Sequence, residues 1–260
     1  MPRAPEPPAE VRSLHLPTGR DLYAELSAAT RWEEVGRGRR SAVLVRPDAA
    51  GRVPLVRTTA RYAHPAQRFR PVHAWLAERI RERAALPDAF DNALAEVYTN
   101  AYTRMGAHCD LALDLAEGSS IAVFSCYRDS ASAAVLPRTL RVRAKEDDGG
   151  EEAVVPLPHH GVVVFSVAAN RRLRHRIVLD PPARAVDNEW LGVTFRTSRT
   201  RLDFRHGRPR LPDGQGELTL ATEEQRSEFH RLRRRENAES DFGYPPLAYT
   251  VSESDLLPPH

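Results

Sequence analysis

The sequence predicts an α+β chain built on a rolled antiparallel sheet, and three observations lead there. Seven short runs rich in Val, Leu, Ile and Phe crowd between residues 94 and 197, parted by turn residues at close intervals. Helical periodicity is confined to stretches before and after that region. Within it, strands do not alternate with long helices, as they would in a βαβ protein.

The elements follow in order. Residues 1–12 hold four prolines and mixed charge and read as a flexible leader. Residues 13–260 read as a single domain, with a core over about 53–200 and a C-terminal extension over about 201–260. Thr18-Gly-Arg-Asp21 has capping-box character, with Asp in the Glu/Gln slot, and opens a short helix to about Ala28. Ser41–Arg46 is a strand rich in Val and Leu. Pro71, a favoured first-turn residue, starts a helix to about Ala85 that carries Val72, Trp75, Leu76 and Ile80 on one face. The strand runs are Leu94–Tyr98, Ser120–Cys126, Leu140–Ala144, Glu152–Leu157, Val162–Val167, Arg174–Val178 and Leu191–Thr197. Asp147-Asp-Gly-Gly150 and His159-His-Gly161 are turn signals between them. A second capping box, Thr222-Glu-Glu-Gln225, starts a helix to about Ala238. Its Arg231–Arg235 run reads as a solvated face, neutralised by Glu223, Glu224, Glu228 and Glu236, in preference to a phosphate patch. Tyr244–Tyr249 is expected to pack back on the body as an extended segment.

Composition narrows the functional classes. A chain of 260 residues suffices for a sizeable core. The net charge is +3, yet Lys145 is the sole lysine among 38 basic residues, and 35 acidic residues are interspersed. That pattern points to arginine-biased coding, not to a nucleic-acid footprint. Two cysteines, Cys109 and Cys126, make no disulfide framework and suggest a reducing cytoplasm. The absence of a long apolar run argues against membrane spanning, and the absence of an N-terminal apolar region argues against secretion.

The chemistry concentrates at His108-Cys109-Asp110, followed far downstream by His175 and Arg196. Two imidazoles and one carboxylate suit a divalent metal and leave other coordination positions open, which is the facial triad of non-haem iron oxygenases. His108 and Asp110, two residues apart, point the same way on extended backbone, so one strand end offers both and Cys109 points away. Arg196 can meet a carboxylate end-on through two parallel hydrogen bonds. His159-His160 reads as a polar turn in preference to a second metal pair.

The stretch from Phe90 to Asp110, with Phe90, Leu94, Tyr98, Gly106, His108 and Asp110 in register, resembles the AlkB-type branch of Fe(II)/2-oxoglutarate dioxygenases. Ile121–Ser125, Gly161–Ser166 before His175, and Leu191-Gly-Val-Thr-Phe-Arg196 are similar to that family's later strands. Coverage runs from about Val53 to Thr197. The resemblance implies a double-stranded β-helix (jelly-roll, cupin-like) core with flanking N-terminal helices and a C-terminal helical extension. It also implies Fe(II) held by His108, Asp110 and His175, with 2-oxoglutarate as co-substrate and O2 as oxidant. Arg196 would pair with a co-substrate carboxylate, helped by Tyr98 and Asn100. A substrate C–H bond would be oxidised, with succinate and CO2 as co-products.

Two departures stand out. Glu96 replaces the family's Asn two residues before Tyr98, with Asn100-Ala-Tyr102 as a shifted equivalent. Trp190 replaces a second arginine six residues before Arg196; Arg199 or Arg171 are candidate substitutes, and Trp190 is read as a packing or substrate-facing residue. Relatives place a nucleobase-gripping lid before the core, and Val56–Tyr62 lies there, so Arg57, Thr59 and Tyr62 are the substrate candidates. A nucleotide, nucleoside or other small metabolite is the expected substrate. Demethylation of alkylated DNA or RNA, and a catalytically silent nucleic-acid-binding module, are the alternatives.

Overall fold

Near-continuous burial along the central strands places them between two apolar layers, and the chain builds outward from them. The computed structural model describes residues 6–260 except 148, 182, 184–186 and 213, so the middle of the Asp147–Gly150 turn lies outside the described residues. The first part runs β1 (Arg12–His15), α1 (Leu22–Ala29), β2 (Glu33–Gly36), β3 (Arg39–Val45), β4 (Val53–Pro54), β5 (Gln67–Arg68) and α2 (Pro71–Ala84). The middle follows as β6 (Asn92–Tyr98), β7 (Ser120–Tyr127), α3 (Ser130–Val135), β8 (Arg138–Ala144), β9 (Ala153–Leu157), β10 (Gly161–Ser166), α4 (Val167–Arg172), β11 (Leu173–Val178) and β12 (Trp190–Arg196). The extension holds β13 (Arg201–Arg205), β14 (Arg208–Arg210), β15 (Thr219–Leu220), α5 (Glu223–Ala238), β16 (Tyr249–Thr250) and a short 3-10 turn (Glu253–Leu256).

The major sheet has the order β1-β10-β7-β12-β6-β3-β2, with β5 beside β3, and the minor sheet has the order β11-β8-β9. The architecture is α+β with a jelly-roll core. One face of the major sheet carries Ala95, Phe124, Leu191, Val193 and Phe195 against Leu22 and Leu26 of α1 and Leu76 and Ile80 of α2. The opposite face carries Tyr98, Val123, Phe165 and Trp190 toward Leu140 and Val155 of the minor sheet. Period-two side-chain geometry makes this division, and slipping any strand by one residue would exchange the two faces.

Local chemistry sets the helix ends. Asp21, not Thr18, caps α1: its carboxylate accepts from the Ala24 N–H at 3.0 Å, whereas the Thr18 hydroxyl only accepts from the Arg20 N–H. Pro71 is the first residue of α2, which ends at Ala85 in the left-handed region (φ 52°). Thr222 and Gln225 form the expected capping box of α5. Tyr249 and Leu247 of the tail are buried against Phe229 and Leu232 of α5. No helix among the described residues is long and apolar enough to cross a membrane.

Candidate metal centre

Two strands far apart in sequence bring the predicted ligands together. The segment after β6 runs antiparallel to β11, with isolated bridges Arg104–Val178 and His108–His175. The two histidines exchange both backbone bonds: His108 N–H donates to the His175 carbonyl at 3.0 Å, and His175 N–H returns to His108 at 2.7 Å. That pairing sets their rings 4.7 Å apart, centroid to centroid. Asp110, two residues on, faces the same side. One donor atom from each of His108, Asp110 and His175 can be chosen so that all lie within 4.8 Å of one another. Donors bound at roughly 2.1 Å to one ion would sit about 3–3.6 Å apart, so a small contraction completes coordination. The donor set fits a divalent transition metal.

The surroundings prepare each ligand. His108 Nδ1 lies 2.9 Å from the Gly106 carbonyl, which places its proton there and turns Nε2 toward the centre. Burial, followed by the neighbouring His175, pulls the His108 imidazole down to about 3. It is therefore neutral, the form a metal needs. Burial pushes the Asp110 carboxyl up, but Arg196 and the two imidazoles pull harder, so it stays well below the usual carboxylate range. Arg196 reaches Asp110 from β12 with Nε and Nη2, both at 2.8 Å. Both contacts go to the same carboxylate oxygen, Oδ2.

The backbone of the ligand segment is held from two directions. Asn170 of α4 accepts from the Asp110 N–H at 2.7 Å and donates to the Asp110 carbonyl at 2.8 Å. From α5, Asn237 accepts from the Cys109 N–H at 3.0 Å, and Glu236 accepts from the Ala112 N–H at 2.8 Å. Arg233 donates to the Cys109 carbonyl and pairs with Glu236. Cys109 itself is buried and points into this clamp, away from the metal side; Cys126 is also buried, and both are free thiols.

The helix face expected to be solvated is therefore split. Arg231, Arg234 and Arg235 are exposed, but Arg233 and Glu236 are buried against the ligand segment. A run of arginines carries no local sign of which member turns inward. A Lys or Arg every third or fourth residue from a buried Phe229 and Leu232 is the one available signal.

A cleft opens beside His108, Asp110 and Arg196. Arg57, Thr59 and Tyr62 line it, as do Arg39, Asn92 and Arg233, which sequence reasoning did not select. Arg57 is fully engaged: it pairs with Asp114 at 2.8 Å and donates to the Tyr249 and Leu247 carbonyls at 3.0 and 2.7 Å. Tyr62 sits with its hydroxyl 2.8 Å from Ser41. The Asn92 side-chain oxygen is buried and has no partner. Tyr98 lies deeper, fully buried, donating to Glu96 at 2.9 Å. Asn100 and Trp190 do not reach the cleft; both line a separate small cavity with Arg138 and Tyr127.

Neither Arg171 nor Arg199 faces the centre. Arg171 pairs with Glu117 on the surface, and Arg199 donates to the Leu113 carbonyl. Trp190 instead turns inward: it is 2% exposed, and its ring stacks 4.8 Å from Tyr98.

No protein-family model matches this chain, and no curated protein matches it. Among solved structures it is similar to one titled "The structure of OsALKBH1", with 14% identity, covering 72% of this chain and 98% of that chain at a TM-score of 0.49.

Proposed function

We propose that the chain is an Fe(II)- and 2-oxoglutarate-dependent dioxygenase that hydroxylates a small polar metabolite, nucleotide-like in character. One observation carries the reading: His108, Asp110 and His175 converge, with His108 and Asp110 at the wall of a cleft that Arg196 also lines. When bound, iron would activate O2, the oxidant, with the keto acid giving up two electrons as it is decarboxylated; the chain binds, orients and excludes water. His108, Asp110 and His175 would hold the iron, and Arg196 would meet the keto acid end beside it.

The charge pattern of the cleft favours a small substrate over a nucleic-acid strand. Its four guanidiniums each have a carboxylate partner: Arg39 with Glu96, Arg57 with Asp114, Arg196 with Asp110 and Arg233 with Glu236. A polyanion tract would need uncompensated cations along its path. Demethylation of alkylated DNA or RNA and a silent binding module are the competing readings.

Succinate formation in the presence of Fe(II) and 2-oxoglutarate, screened against nucleotides, nucleosides, amino acids and methylated oligonucleotides, tests the reading. Stimulation by a nucleotide or nucleoside is the expected outcome. Formaldehyde release from methylated oligonucleotides alone would move the assignment to demethylation. Tight oligonucleotide binding without any turnover would move it to the silent module.

A further inference from the structure

We propose that Arg39 is the anchor for the far carboxylate of a dicarboxylic keto acid, the role left vacant by Trp190. The inference rests on the oxygenase reading above and concerns how this chain meets its co-substrate.

Strand register brings Arg39 to the right row. Tyr98 pairs with Trp190 across β6 and β12, and with Arg39 across β6 and β3. Arg39, Tyr98 and Trp190 therefore stand side by side on three neighbouring strands, all on the face that looks into the jelly roll. At the Trp190 position a cation is excluded by packing. The indole lies flat over Gly192, so close that a β-carbon there would come within 1.9 Å of it. With Tyr98 on its other side, the indole occupies the space in which side chains at 190 and 192 would project.

Two strands away, Arg39 lines the same cleft as His108, Asp110 and Arg196. Its guanidinium is pre-set: Nε and Nη2 donate to one Glu96 oxygen at 2.8 and 2.5 Å, while Tyr98 donates to the other at 2.9 Å. The guanidinium also touches Tyr102, a contact that an incoming carboxylate would share or displace. A fork fixed in this way meets an incoming carboxylate without losing much side-chain freedom. Glu96 is thereby explained as well, since it stands where relatives carry Asn and serves to aim Arg39. Burial works against the Arg39 charge, but Glu96 more than restores it, so the group remains a cation. A pair serving only to staple two strands would not need to face the cleft, yet Arg39 lines it and its side chain keeps 23% of its surface exposed.

The test compares two keto acids that differ only at the far end. The protein is loaded with Mn(II), and dissociation constants for 2-oxoglutarate and 2-oxobutyrate are measured by titration calorimetry. Unaltered protein is expected to prefer 2-oxoglutarate by about 10- to 100-fold, the span of one charge-assisted contact. Arg39→Gln combined with Glu96→Gln, which leaves no bare buried charge, should bring that ratio near one while 2-oxobutyrate binding stays unchanged. Arg39→Lys should keep part of the preference. An unchanged ratio in the double variant overturns the assignment of Arg39 alone. Failure of the unaltered, metal-loaded protein to bind either keto acid overturns the oxygenase reading and this inference with it. Because the same guanidinium could serve a substrate phosphate, a nucleoside and its monophosphate form a third arm. Loss of nucleotide preference with keto acid preference intact overturns the co-substrate role.

Discussion

Gly192→Ala is the sharpest probe of how the inner face is filled. The new methyl carbon would lie 1.9 Å from the nearest indole atom of Trp190, against about 3.5 Å or more for an ordinary contact. The ring must therefore retreat by roughly 1.6 Å. The ring is 2% exposed with Tyr98 tilted against it at 4.8 Å, so the small cavity it lines with Arg138 and Tyr127 is the space open to it. Overpacking of this kind costs about 1–3 kcal/mol, the span expected for Gly192→Ala. Trp190→Leu alone leaves a cavity and costs about 3 kcal/mol. Shortening the side chain removes the clash, so the double variant should be more stable than additivity predicts by at least about 1 kcal/mol. Urea unfolding followed by circular dichroism measures all three. A Gly192→Ala protein within about 0.5 kcal/mol of the parent, or strictly additive effects, would refute the packing argument.

Other perturbations address the centre and the scaffold. His108→Ala should abolish stoichiometric Co(II) binding, read from visible absorption, while leaving the far-ultraviolet spectrum intact; full metal binding would displace His108 from the ligand set. Arg233→Leu removes one partner of a buried pair and leaves Glu236 uncompensated, so unfolding free energy should fall by about 3–5 kcal/mol; a loss below about 1 kcal/mol would mean the clamp is slack. His73, buried between Thr30 and the Arg70 N–H, is pulled by burial to about 4. Its folded pKa lies below the unfolded value, so its contribution is present above about pH 6.5 and is lost as pH falls towards 4. His73→Gln should flatten that acid-side decline in urea midpoints; an unchanged pH profile would show that His73 does not drive it.

Much of the core was legible because local pattern and tertiary need agree there. Leu94–Tyr98, Ser120–Cys126 and Leu191–Thr197 are runs whose burial on both faces is written in their apolar content, and each is a strand within a few residues of its expected ends. The convergence of His108, Asp110 and His175 was legible because few residue types suit that pattern and a rolled sheet brings distant strands together. What escaped detection depends on pairing. β1, β4 and β5 are two to four residues long and exist because a neighbour offers a free edge. Asn170 holds Asp110 from a helix of only six residues that no periodicity marks. Arg39 sits beside Trp190 only through the register of three strands, which no single stretch of sequence encodes. Arg233 looked like its exposed neighbours until α5 met the ligand segment.

The clamp from α5 has a consequence for biosynthesis. Arg233 grips the Cys109 carbonyl across 124 residues of chain. While the nascent polypeptide is still emerging, the His108–Asp110 stretch lacks that grip even though every metal-binding side chain has been made. A chain truncated before residue 233 would keep His108, Asp110 and His175 and the Asn170 bonds to Asp110, but would lack every contact that α5 makes to Cys109 and Ala112.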